Sequence, residues 1–194
     1  MPASGAPRQR RGAAVADAVL AATLELLAER GYGFSVEDVA QRARVHKTTI
    51  YRRHLTKSAL VASAIESLAV AEIPLAVTDD PLADLSTLAV SVARLLGSPT
   101  GTRILRAMFL AASDDAEALT VARRFLAGRY DVALDIVTRA VARGQLRASV
   151  DPLLVWGAIV NPLHVRALLG YPVSEGAARE LVALVVEGAR VPTT

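Results

Sequence analysis

The chain has no cysteine, which excludes disulfides and thiolate metal sites. A reducing compartment suits that composition, and a cytoplasmic location is expected. Aromatic residues are scarce, 4% of the chain against 53% apolar residues overall. A core drawn from Ala, Leu and Val suits packed helices better than a sheet. No uninterrupted apolar run reaches the ~18 residues of a membrane span, so no membrane partner is expected. The opening MPASGAPRQRRGAA has cations but no apolar segment directly after them, and AVADAVLAATLELLAE is broken by Asp17 and Glu25. Neither reads as a secretory signal. No repeat of fixed period and no alternating strand pattern is present. The phosphate-loop, dinucleotide, nucleophile-elbow and zinc-protease fingerprints are all missing. The three histidines, His46, His54 and His164, lack metal-ligand spacing with carboxylates. No enzyme activity, metal or cofactor is therefore expected.

One further lack is local. Residues 42–57, RARVHKTTIYRRHLTK, contain no acid but six cations: Arg42, Arg44, Lys47, Arg52, Arg53 and Lys57. Across residues 1–60, ten Lys/Arg face five Asp/Glu, whereas the rest of the chain holds twelve against fourteen. A basic head on a slightly acidic body points to a polyanion-binding module joined to something else.

The pattern predicts an all-α chain. Residues 1–11 read as a flexible basic arm, with Arg8, Arg10 and Arg11 at hand for a minor groove or for solvent. Helices are expected over 12–30, 36–43, 47–53 and 57–72. Gly31 ends the first as a left-handed stop. Ser35 caps the second, with Asp38 in capping-box position. Pro74 and Thr78–Pro81 mark a break, followed by helices over 82–97, 101–113, 115–143, 151–169 and 174–190. The domain plan is an arm (1–11), a DNA-binding domain (12–56), a connecting helix (57–74) and a C-terminal body (75–194).

The 36–43 helix, the turn Arg44–His46 and the 47–53 helix form a helix-turn-helix, the last being the recognition helix. Ile50 points inward with Val45, while Tyr51, Thr48, Arg52 and Thr49 occupy the other side. Such a face offers cations for phosphates, and hydroxyls and a methyl for base edges. Lys57 joins a cation to a helix N-terminus, a phosphate-binding combination. A solvated basic surface is the bland alternative.

The segment GYGFSVEDVAQRARVHKTTIYRRHLTKSAL resembles the DNA-binding segment of the tetracycline-repressor (TetR) family of bacterial regulators. The features that carry it are Gly31-Tyr32, Ser35-Val36-x-x-Val39-Ala40, Val45-x-Lys47-x-Thr49-Ile50-Tyr51 and Lys57-x-x-Leu60. The resemblance implies a DNA-binding set of Ser35, Arg44, Lys47, Thr48, Thr49, Tyr51, Arg52 and Lys57. In that set Thr49 and Tyr51 would meet the backbone, Lys57 a phosphate, and Lys47, Thr48 and Arg52 the base edges. Two departures stand out. Arg44 holds a turn position often given to Gly, so either it tolerates strain or the turn differs. His54 stands where an aromatic usually plugs the small core, and Leu55 is expected to take over part of that packing.

The resemblance further implies a homodimer on double-stranded operator DNA, in an inverted repeat, and an unidentified small-molecule effector bound in the C-terminal body. Candidate pocket residues are Arg106, Met108, Phe109, Phe125, Tyr130, Trp156 and His164. Candidate dimer residues are Val160, Leu163, Ala167 and Leu168 on one helix and Leu181, Leu184, Val185 and Gly188 on the next. The function expected is a transcriptional repressor released by its effector. An architectural DNA binder without effector, and a helical enzyme, are the alternatives.

Overall fold

The computed structural model describes residues 6–73 and 77–191, without the side chains of 6–11 and 125–129. Among these residues every regular element is a helix. The chain forms two compact units, Met1–Leu68 with Arg106–Arg123, and Ala69–Leu105 with Arg124–Thr194.

In the first unit α1 runs Ala6–Arg30, α2 Val36–Ala43 and α3 Lys47–Tyr51; α4 starts at Lys57 and runs to Glu72. Helix α1 starts six residues earlier than expected, so Arg8, Arg10 and Arg11 belong to a helix rather than an arm. The reason is local: Ala, Gln and Arg favour a helix, and Pro7 is tolerated in a first turn. Gly31 ends α1 at φ +61°, as expected. Helix α1 packs on α2, and α2 on α3. Val19, Leu26, Leu27, Val39, Ile50, Leu60 and Val61 form a dry core, each no more than 4% exposed. Inside it the Thr23 hydroxyl donates to the Val19 carbonyl at 2.8 Å, so no polar group is stranded. Val45, Ala43 and Leu68, all expected inward, are only half-buried. Leu55 is 84% exposed and packs little, contrary to expectation. The half-buried His54 keeps the inward place alone, its Nδ1 3.4 Å from Ser63 Oγ.

The rest of the chain supplies α5 Pro81–Gly97, α6 Pro99–Asp114, α7 Ala116–Ala142, α8 Pro152–Leu169 and α9 Glu175–Ala189. Asp80, Asp151 and Ser174 cap α5, α8 and α9 by accepting from backbone N–H groups one turn in. Within the second unit α5, α8 and α9 pack on one another. Gly97 lets α5 approach the strand of chain before α9, because a Cβ there would meet the Val173 carbonyl at 2.6 Å. Among the described residues one ion pair has a buried carboxylate. Asp84 accepts from the Thr78 hydroxyl at 2.6 Å, the Thr78 N–H and Arg139 Nη2 at 2.9 Å, tying α5 to α7. Its side chain is 2% exposed.

Helix α8 bears on two expectations. At 18 residues it is long and apolar enough to cross a membrane by length and composition, although Asn161, His164 and Arg166 interrupt it. It is apolar on two faces. Val155, Trp156, Ile159, Val160, Leu163 and Ala167 are buried within the chain, while Leu153, Leu154, Val165 and Leu169 are 52–72% exposed. Val160, Leu163 and Ala167, expected at an interface between chains, are buried within the chain, so the open apolar surface of α8 lies on its other side. Leu168, Leu181 and Val185 are half-buried, and Leu184 and Gly188 are exposed.

Candidate nucleic-acid interface

The recognition segment is set by its caps. Ser35 Oγ accepts from the Asp38 N–H at 3.1 Å, and the Asp38 carboxylate accepts from the Ser35 N–H at 2.7 Å. The Ser35 hydroxyl also donates to the same carboxylate. These bonds hold the Asp38 carboxyl below its usual pKa. They also commit the Ser35 side chain to anchoring α2, although the residue stays exposed. At the other end of α2, Arg44 stands in the left-handed region, φ 55° and ψ 44°, and its N–H reaches back to the Gln41 carbonyl at 3.2 Å. Of the two possibilities at this position, the strained backbone is the one adopted.

Helix α3 is shorter than expected, ending at Tyr51, though Arg53 and His54 both donate backbone N–H to the Ile50 carbonyl at 2.9 Å. Ile50 is 2% exposed and anchors the helix; Lys47, Thr48, Tyr51 and Arg52 face solvent, and Thr49 is half-buried. The hydroxyl-and-cation face is therefore as the spacing required.

The six cations of the basic stretch divide into two groups. Arg42 is bound to Glu25 at 3.1 Å and Glu29 at 2.9 Å, and Lys47 to Glu37 at 3.3 Å. These pairs are exposed and add little to stability, but they occupy the charges. Lys57 donates to the Tyr32 carbonyl and lies 4.1 Å from the Tyr32 ring centroid and 4.7 Å from that of Phe34. Burial pushes its ammonium below the usual lysine pKa, partly offset by Asp115 and Glu117. The expected phosphate ligand is thus engaged in holding the α1–α2 turn, where Tyr32 also donates to Ser58 at 3.1 Å. The guanidiniums of Arg44, Arg52 and Arg53 form no ion pair among the described residues, and all three are exposed. Arg53 was not among the expected contacts. The signal was available, since it directly follows Arg52, but helical projection of 47–53 does not tell an open cation from a paired one.

The candidate effector residues are divided. Arg106, Met108 and Phe109 lie in the first unit, Tyr130, Trp156 and His164 in the second, and the Phe125 side chain lies outside the described residues. Met108 is 3% exposed and Phe109 36%. Tyr130 donates to Asn161 Oδ1 at 3.0 Å, beside the exposed face of α8 rather than in an interior space. His164 Nδ1 lies 3.0 Å from the Val160 carbonyl, and burial lowers its pKa against the pull of that carbonyl. Trp156 is 1% exposed, and its Nε1–H finds no partner among the described residues. No cluster of three or more His, Asp or Glu side chains suited to a metal is found among the described residues.

This geometry can be set beside known proteins. Residues 19–64 match the family model for bacterial regulatory proteins of the tetR family, and residues 75–185 match the model for the tetracyclin repressor-like C-terminal domain. The chain is 31% identical over 190 residues to the HTH-type transcriptional regulator AqdR of Rhodococcus erythropolis, covering 95% of this chain and 90% of that protein. It is 30% identical over 187 residues to the DNA-binding transcriptional repressor TetR of Mycobacteroides abscessus, covering 89% and 92%. The crystal structure of a TetR family transcription regulator superposes with a TM-score of 0.74 at 28% identity, covering 92% of this chain and 99% of that one. A capped helix-turn-helix with an open hydroxyl-and-guanidinium face, and two family models that together span most of the sequence, place the chain in the TetR family of DNA-binding transcriptional regulators.

Proposed function

We propose that the chain is a cytoplasmic homodimeric repressor that binds an inverted-repeat operator and leaves it when a small apolar effector binds the C-terminal body. The observation that carries the DNA contact is the division of the cations. Arg44, Arg52 and Arg53 are left open around Thr48, Thr49 and Tyr51, with Ile50 buried behind them. Open guanidiniums can release counterions from phosphates or fork onto a guanine edge.

The dimer reading rests on α8. A helix that is apolar all round needs cover all round. Its own unit covers one face, and the exposed Leu153, Leu154, Val165 and Leu169, with Leu184 of α9, fit the same patch of a second copy. In this reading three of the eight residues first expected, Val160, Leu163 and Ala167, give way to their neighbours on the other side of the helix. The effector reading rests on Trp156, a buried donor without a partner among the described residues, since buried polar groups are ordinarily satisfied.

The test is selection of genomic fragments by the purified protein at stated salt. A recovered inverted repeat with half-sites about 34–36 Å apart, or a multiple, is the expected result. Bound DNA with no shared motif would point to an architectural binder instead.

A further inference from the structure

Within the first unit a half-open notch of about 210 Å³ lies between α1 and the end of the recognition helix. Val15 and Val19 of α1 and Ile50 of α3 form its apolar walls, and His54 closes one side. Arg52 and Arg53 stand at the rim, and no carboxylate lines it among the described residues. Arg53 overhangs the notch: its Nη2 is 3.7 Å from where a Cβ on Gly12 would sit. That guanidinium is one of the three left open, and a guanidinium takes a carboxylate in a planar two-point grip. Burial, with the charge of Arg53, holds the His54 imidazole below its usual pKa, so this wall is uncharged at neutral pH.

The size decides between ligands. A dry cavity of about 150 Å³ accommodates benzene, so 210 Å³ takes one six-membered ring with a short substituent and not a polycyclic molecule. Phosphate alone would use the rim and leave the apolar walls unmatched. We propose that the notch is a binding site for a monocyclic aromatic carboxylate, with its ring between α1 and Ile50 and its carboxylate on Arg53. Such an acid withdraws an open cation from the DNA-facing surface, so it competes with DNA from inside the DNA-binding unit. That consequence rests on the recognition face argued above; the binding itself does not, and it is measured without DNA.

Benzoate is titrated into the full chain, read by calorimetry and by the NMR signals of the His54 ring. Saturable binding at one site per chain, with the His54 signals moving, is expected. Arg53→Gln should weaken it at least tenfold, and Ala16→Phe, which fills the notch, should abolish it. Benzyl alcohol, which lacks the charge, should bind at least tenfold more weakly. The proposal is overturned if His54 does not respond, if both variants bind benzoate like the parent, or if inorganic phosphate binds as tightly as benzoate. Should Ala16→Phe fail to fold, Arg53→Gln decides the matter, because that side chain is exposed. Benzoate binding with no loss of DNA affinity would separate the notch from the recognition face and leave the site itself standing.

Discussion

Arg44 sits at φ 55°, the only non-glycine residue with positive φ among those described. A Cβ in that region costs roughly 1–2 kcal/mol, which glycine avoids at some entropic cost of its own. Arg44→Gly should therefore stabilise the protein by about 1 kcal/mol in urea unfolding while weakening DNA binding. Loss of both would show that the turn needs a side chain. A second pair of substitutions separates open cations from engaged ones. Arg52→Gln should lower the slope of log affinity against log salt by about one counterion, whereas Lys57→Gln should lower affinity and melting temperature with the slope unchanged. A fall in slope for Lys57→Gln would return it to the phosphate contacts. The sequence shows six cations between 42 and 57, yet the partners of the three engaged ones, Glu25, Glu29, Glu37 and Tyr32, lie 10 or more residues away along the chain. Composition reveals the charge; only the packing of the four helices reveals which of it is already spent.

Among the elements, those with local signals were legible. The Ser35–Asp38 box, the Gly31 stop and the Asp151–Pro152 start each depend on a few adjacent residues, and each stands where expected. The face of α8 was not legible, because Val, Leu and Ala on both sides leave periodicity nothing to choose between. The exposed side now gives a definite expectation: Val165→Asp should convert the dimer to a monomer in sedimentation, whereas a charge at Leu163 should unfold the chain. A dimer persisting in Val165→Asp would move the interface elsewhere. The clamp between α5 and α7 was also invisible, since Asp84 and Arg139 are 55 residues apart. Burial alone would raise the Asp84 pKa, but Thr78 and Arg139 outweigh it and the net shift is downward. A lowered folded pKa adds stability that is present above the unfolded value and lost as pH falls through the folded one. Asp84→Asn should thus lower the melting temperature at pH 7, because it removes the buried carboxylate and leaves Arg139 with only the exposed Asp135 as its ionic partner, and should lower it by much less in strong acid. An equal loss at both pH values would deny the ion pair its role.

At the scale of the molecule, the open cations of the basic head lie within the first unit, and the boundaries of the two compact units fall inside α4, α6 and α7. Hydrophobic patterning finds helices and does not say where a helix changes company. This arrangement has an optical consequence. Trp156 is the single tryptophan of the chain and belongs to the second unit, so its emission reports on that unit, while far-UV dichroism reports on all the helices. Because three helices run through both units, heating should move the two signals together in one transition. Emission that shifts before the dichroism falls would reveal a second unit loosening on its own. In the folded protein the same buried indole, whose N–H has no partner among the described residues, should emit in the blue and shift only when something enters its surroundings, so a titration of candidate effectors needs no label.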